Sequence, residues 1–118
     1  MSDGGQLIVF STVDGPQAAR RLADGVVGAG LAACVNILPA VTSVFRWESG
    51  ADDPGQAGVQ AETEVMLLIK TSAAAYPALE RHLQAEHPYE LPEIVAVPLT
   101  RGLPAFLQWI DGSTTPSS

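Results

Sequence analysis

Apolar and polar positions change period several times along this chain, and each change marks an element. Leu7-Ile8-Val9-Phe10-Ser11-Thr12-Val13 is short, apolar and β-branched, which predicts a strand. Asp14-Gly15-Pro16-Gln17 predicts a helix start: Asp14 as cap, Pro16 in the first turn, Gln17 three residues after the cap. Ala18, Leu22, Val26 and Ala29 then recur at helical spacing, and Gly28 and Gly30 end the helix. Leu31 to Trp47 alternates as a long strand bent at Pro39, and Glu62 to Thr71 is a second long strand. They flank one Gly- and Asp-rich loop over residues 48–61, the pattern of an antiparallel hairpin. Ser72 is placed to cap a helix that turns Tyr76, Leu79 and Leu83 inward and stops at His87-Pro88. Ile94 to Leu99 predicts a short strand, Pro104 to Ile110 a short helix, and the Ser/Thr/Pro stretch from Gly112 a frayed tail.

The order β-α-β-β-α-β plus a short helix predicts an α+β fold: the ferredoxin-like split βαβ, an antiparallel sheet with two helices on one face. One domain spans 1–118, with an ordered core over 6–111 and a tail over 112–118. The hairpin strands are long for so small a sheet. Their far halves, near Phe45-Arg46-Trp47 and Glu62-Thr63-Glu64, overhang the helices and leave edges that pairing with another subunit would cover. The pattern therefore predicts an oligomer.

Composition narrows the function. The 118 residues are 47% hydrophobic, enough for a core, and no apolar run reaches membrane-spanning length. The first six residues carry no basic, apolar signal region, and the single Cys34 forms no internal disulfide, so a cytoplasmic protein is expected. The net charge of -7 and six scattered basic residues argue against nucleic acid and anionic membranes as partners. Cations and neutral or cationic ligands are the electrostatically easier partners.

The chemistry concentrates in His87-Pro88-Tyr89-Glu90-Leu91-Pro92-Glu93, an imidazole, a phenol and two carboxylates on a path stiffened by two prolines. Two readings are open: a segment that presents ligands, or a helix-to-strand connection with solvated polar groups. His87 serves either as a metal ligand or as a partner of the helix C-terminal dipole. Glu90 and Glu93, three apart on a bent path, are able to face one point. Glu86 and His82 share a helical face. Asn36 and Lys70, each the only residue of its type, are candidate ligand contacts, as are the aromatic residues Trp47 and Tyr89. Lys70 is expected to seek a carboxylate such as Glu62, Glu64 or Glu93, and Cys34 to be a small buried hydrophobe.

Four blocks carry a family resemblance: Ala32-Ala33-Cys34-Val35-Asn36-Ile37-Leu38-Pro39, Thr42-Ser43-Val44-Phe45-Arg46-Trp47-Glu48, Leu68-Ile69-Lys70-Thr71, and His87 to Ile94. From about Leu7 to Ile110 the chain resembles the CutA family of divalent-cation tolerance proteins. The resemblance implies a tight homotrimer with hairpin strands paired across subunits, a shape like that of PII signalling proteins, and binding of Cu(II) or another divalent cation without an organic cofactor. The family's copper site is attributed to a Cys after the first strand, a His just before the His-Pro-Tyr block, and the Glu of Pro-Glu. Those positions hold Ser11, Glu86 and Glu93 here, so the softer ligands are gone. The remaining metal candidates are His87, Glu90, Glu93 and Glu86. The expected cleft residues are Trp47, Lys70, Tyr89 and Asn36.

The leading expectation is a non-enzymatic metal-tolerance protein. The alternative is a PII-like signalling or small-ligand module acting through the loop Gly50 to Gln60. An acyl-phosphatase-like hydrolase is disfavoured: Asn36 is present, but Thr12-Val13-Asp14-Gly15 replaces an Arg-bearing glycine loop after the first strand. No catalytic residues are expected, and no Ser-His-Asp ordering stands out.

Overall fold

The computed structural model describes residues 5–47 and 58–117. Strand β1 (Gln6–Val13) leads into helix α1 (Pro16–Gly28), followed by strands β2 (Cys34–Phe45) and β3 (Gln60–Ser72). Helix α2 (Tyr76–Glu86), strand β4 (Val95–Pro98) and helix α3 (Pro104–Gly112) complete the chain. The sheet order is β2-β3-β1-β4 and every neighbouring pair is antiparallel. This is the ferredoxin-like α+β arrangement that the element order predicts.

The pleat sends alternate side chains to opposite faces. Val9 and Val13 of β1 and Val65, Leu67 and Ile69 of β3 form the core with Leu22 and Val26 of α1 and Leu79 and Leu83 of α2. All are at most 3% exposed. The opposite face carries Ile8, Phe10, Met66, Leu68, Val95 and Val97, because Phe10 pairs with Leu68 and Val95, and Ile8 with Val97. It is as apolar as the core face but not as well covered: Val95 is 53% exposed and Val97 46%.

The two long strands outrun β1. Only residues 65–72 of β3 pair with β1, whereas Gln60–Glu64 pair with β2 residues Val41–Phe45 alone. The hairpin thus forms an arm past the end of the central strand, as the sequence predicts. The molecule measures 52 × 27 × 26 Å. The expected bend at Pro39 is a bulge: the β2–β3 register shifts between Leu38 and Val41. The connecting loop at residues 48–57 lies outside the described residues.

Several boundaries differ from expectation for local reasons. Strand β2 begins at Cys34 because the N–H groups of Leu31 and Ala32 return to the Val26 carbonyl, closing α1 around Gly30 at φ 74°. Asp14 does not cap α1: the cap is Gly15, without a side-chain hydrogen bond. Ser72 does not cap α2 directly; the cap is Ala75, whose N–H donates to Ser72 Oγ at 3.1 Å. The frayed tail is corrected through Ser117: Thr115 N–H donates to the Gly30 carbonyl and Ser117 N–H to that of Ala74, both at 2.8 Å.

Candidate functional site

A cleft of about 950 Å³ opens where the hairpin arm leaves the sheet. One wall is the arm, with Phe45, Arg46, Trp47, Glu62 and Glu64. The other is Tyr89 to Glu93, the segment between α2 and β4. Thr12 and Asp14 at the end of β1 line it too. Asp14, unused as a cap, adds its charge here instead.

A chain of hydrogen bonds fixes the second wall. Helix α2 ends with His87 N–H donating to the Leu83 carbonyl at 2.9 Å. The His87 ring is 7% exposed and lies between two main-chain groups. Nε2 is 2.9 Å from the Thr12 carbonyl, and Nδ1 accepts from Tyr89 N–H at 3.1 Å. A carbonyl only accepts, so Nε2 carries the proton and Nδ1 supplies the lone pair. The ring is a neutral imidazole with both nitrogens engaged. The His87 and Tyr89 rings make a T-shaped contact with centroids 4.8 Å apart. Tyr89 O–H then donates to Glu64 Oε2 at 2.6 Å, reaching the arm. Burial first, then this hydrogen bond and the charges of Glu64, Asp14 and Glu62, push the Tyr89 phenol well above its ordinary range.

The expected site residues separate into four places. Tyr89, Glu90, Glu93 and Trp47 line the cleft. His87 lies behind it as a bracket between β1 and Tyr89, leaving no lone pair for a metal in this arrangement. Glu86 is exposed at the end of α2 and is not among the cleft residues. Asn36 and Lys70 do not line the cleft either. Lys70 Nζ donates to Asn36 Oδ1 and lies 3.8 Å from Cys34 Sγ, because Cys34 pairs with Lys70 across β2 and β3. The carboxylate partner expected for Lys70 is thus replaced by an amide and a thiol. Cys34 is half-buried rather than enclosed.

Sequence reading missed Glu64 as a cleft residue. It is 8% exposed and stands where β3 passes from the exposed Ala61–Thr63 to the buried Val65, and the signal was a carboxylate directly before the apolar run Val65 to Ile69. The set attributed to copper does not fit. Ser11 Oγ is buried without a partner among the described residues and shares the core-facing side of β1 with Val9 and Val13, whereas its neighbour Thr12 lines the cleft. Among the described residues, no three His, Cys, Asp or Glu side chains gather as a metal-holding group.

The sequence matches the family model described as CutA1 divalent ion tolerance protein over residues 7–113. The divalent-cation tolerance protein CutA of Thermus thermophilus is 40% identical over 107 residues, covering 91% of this chain and 96% of that protein. The chloroplastic CutA protein of Arabidopsis thaliana is 38% identical over 92% of this chain but 55% of its own length. The chain therefore spans little more than half of that relative. The crystal structure of CutA1 from Oryza sativa superposes with a TM-score of 0.86 at 36% identity, covering 99% of this chain and all of that one. A protein of Archaeoglobus fulgidus described as periplasmic gives 0.81 at 32% identity, over 92% of this chain and 97% of that one. Relatives thus carry chloroplastic and periplasmic names, so the family alone assigns no compartment; no helix among the described residues is long and apolar enough to cross a membrane. By sequence and by fold, this chain belongs to the CutA1 divalent ion tolerance family.

Proposed function

We propose that this protein is a non-enzymatic homotrimer whose clefts hold divalent cations weakly, through oxygen ligands. The carrying observation is the charge of the cleft: Asp14, Glu62, Glu64, Glu90 and Glu93 line it, against one guanidinium, Arg46. Such a field concentrates cations. With the His87 ring committed and no thiol at position 11, the donors are carboxylates and water. That set suits Mg(II) or Mn(II) better than copper. His87 then acts through Tyr89, holding the Glu90–Glu93 segment against the arm. A cytoplasmic setting, in which thiols stay reduced, suits the single unpaired Cys34.

The trimer is supported by the poorly covered sheet face and by the arm, whose outer edge has no strand partner among the described residues. Burying Phe10, Leu68, Val95 and Val97 against a second copy removes apolar area from water at about 25 cal/mol per Å². A second reading is favoured by Phe45, Trp47 and Tyr89 in the same cleft: a small neutral or cationic organic molecule, with ammonium groups over aromatic faces. The signalling role expected of the 50–60 loop falls largely outside the described residues.

Calorimetry on chelator-stripped protein tests the first reading. Saturable, sub-millimolar to millimolar Mn(II) binding, lost in Glu93→Ala and kept in Ser11→Ala, is expected. Copper binding at micromolar strength that survives Glu93→Ala would sink the carboxylate assignment. Light scattering tests the assembly: a monomeric mass at micromolar concentration would remove the trimer.

A further inference from the structure

The end of the chain performs a task that α2 cannot perform for itself. The first turn of a helix has N–H groups without intrahelical acceptors, and a cap side chain satisfies the one at the second or third position. The cap of α2 is Ala75, which has no polar side chain, and the second helical residue is Pro77, which has no N–H. Ala78 N–H is therefore the one donor a side-chain cap could serve, and Ser117 Oγ accepts it at 2.9 Å. The capping hydroxyl comes from 39 residues away.

The rest of the segment is fastened in the same direction. Ala75 N–H donates to Ser72 Oγ, which lies 2.9 Å from Thr114 Oγ1, and that hydroxyl donates to the Ile110 carbonyl at 3.0 Å. The Thr114 proton is used at the Ile110 carbonyl, so Ser72 O–H donates to Thr114 Oγ1. Thr115 N–H binds the Gly30 carbonyl beyond the end of α1. Gly30 sits at positive φ, and a Cβ there would stand 2.9 Å from Thr115 Oγ1. One tail thus joins the turn after α1 to the start of α2.

We propose that residues 114–117 are a detachable strap that caps α2 from 39 residues away, so that the order of the first turn of α2 is set by whether this segment is in place. The strap is held by hydrogen bonds and buries no large apolar side chain, so it opens well below the free energy of global unfolding. Opening it frees Ala78 N–H while the sheet stays intact. Release of this segment is therefore a control point on the helical layer.

The test is amide exchange measured by NMR on the full chain, with Ser117→Ala, Ser117→Asp and a chain ending at Ser113. Ala78 is expected to exchange on the order of fivefold faster in Ser117→Ala and in the shortened chain, the size of a lost cap. Ser117→Asp, which keeps an acceptor, should hold Ala78 near the wild-type rate, and Ile69 in β3 should not change in any variant. Unchanged Ala78 exchange in Ser117→Ala overturns the proposal. So does exchange of Thr115 and Ser117 in the wild type at the rate of a free peptide.

Discussion

The two faces of the sheet are built from the same kinds of residue and end in different states. On one, Val9, Leu67 and Ile69 are fully enclosed by two helices. On the other, Phe10 and Leu68 are half-buried, and Val95 and Val97 are about half exposed. Neighbouring residues in one strand, Leu67 and Leu68, therefore have different tasks. The first completes the fold of the protomer. The second has no comparable cover among the described residues. Hydrophobicity alone does not distinguish them; position relative to the pleat does.

The most damaging way to break the comparison is on the enclosed face. Leu67→Ala leaves a cavity and should cost about 2–5 kcal/mol, independent of protein concentration, in urea denaturation. Leu68→Asp should instead change the mass seen by light scattering and make stability concentration-dependent. Equal, concentration-independent losses in both variants would mean that the open face is not an interface.

His87→Ala comes next. It leaves the Thr12 carbonyl and Tyr89 N–H without their partners at a buried site, at about 1–3 kcal/mol for each unsatisfied group. The Pro88–Glu93 wall should loosen, read as faster amide exchange at Tyr89. Should Tyr89 keep its protection, the bracket role is wrong.

The alkaline limb sharpens the contrast between the cleft and the core. The phenol of Tyr89 ionises less readily folded than unfolded, so its contribution is complete below the unfolded value near 10. That contribution is lost as pH rises from there through the higher folded value. Wild-type stability should therefore decline above pH 10 more steeply than that of Tyr89→Phe. Parallel curves would remove the upward shift assigned to burial and to Glu64.

The smallest expected effect lies on the core face. Ser11 Oγ is buried without a partner among the described residues, so Ser11→Ala should be neutral or stabilise by up to about 1 kcal/mol in the same urea assay. A loss above 1 kcal/mol would mean that the hydroxyl has a partner.

Much of the architecture was legible along the chain because it depends on local period. A β-branched apolar run announced the first strand and alternation the first hairpin strand, Pro16 and Pro104 marked the helix starts, and Gly28 and Gly30 the end of α1, of which Gly30 takes the positive φ. The overhang could be read from strand lengths, and Pro39 marked the bulge. The site was legible only as a list of residue types. His87, Tyr89 and the two glutamates stand out, but nothing in their spacing says that a ring nitrogen will find the carbonyl of Thr12, 75 residues earlier. Nor does sequence say that Lys70 will meet Asn36 and Cys34 instead of a carboxylate, since that pairing is set by strand register. The tail was misread for the same reason. Ser, Thr and Pro predict fraying until a helix with an alanine cap and a proline at its second position stands beside them, short of one acceptor. Local periodicity and turn chemistry act between near neighbours and can be read from sequence alone. Hydrogen-bond partners distant along the chain are decided only when the sheet brings them within 3 Å.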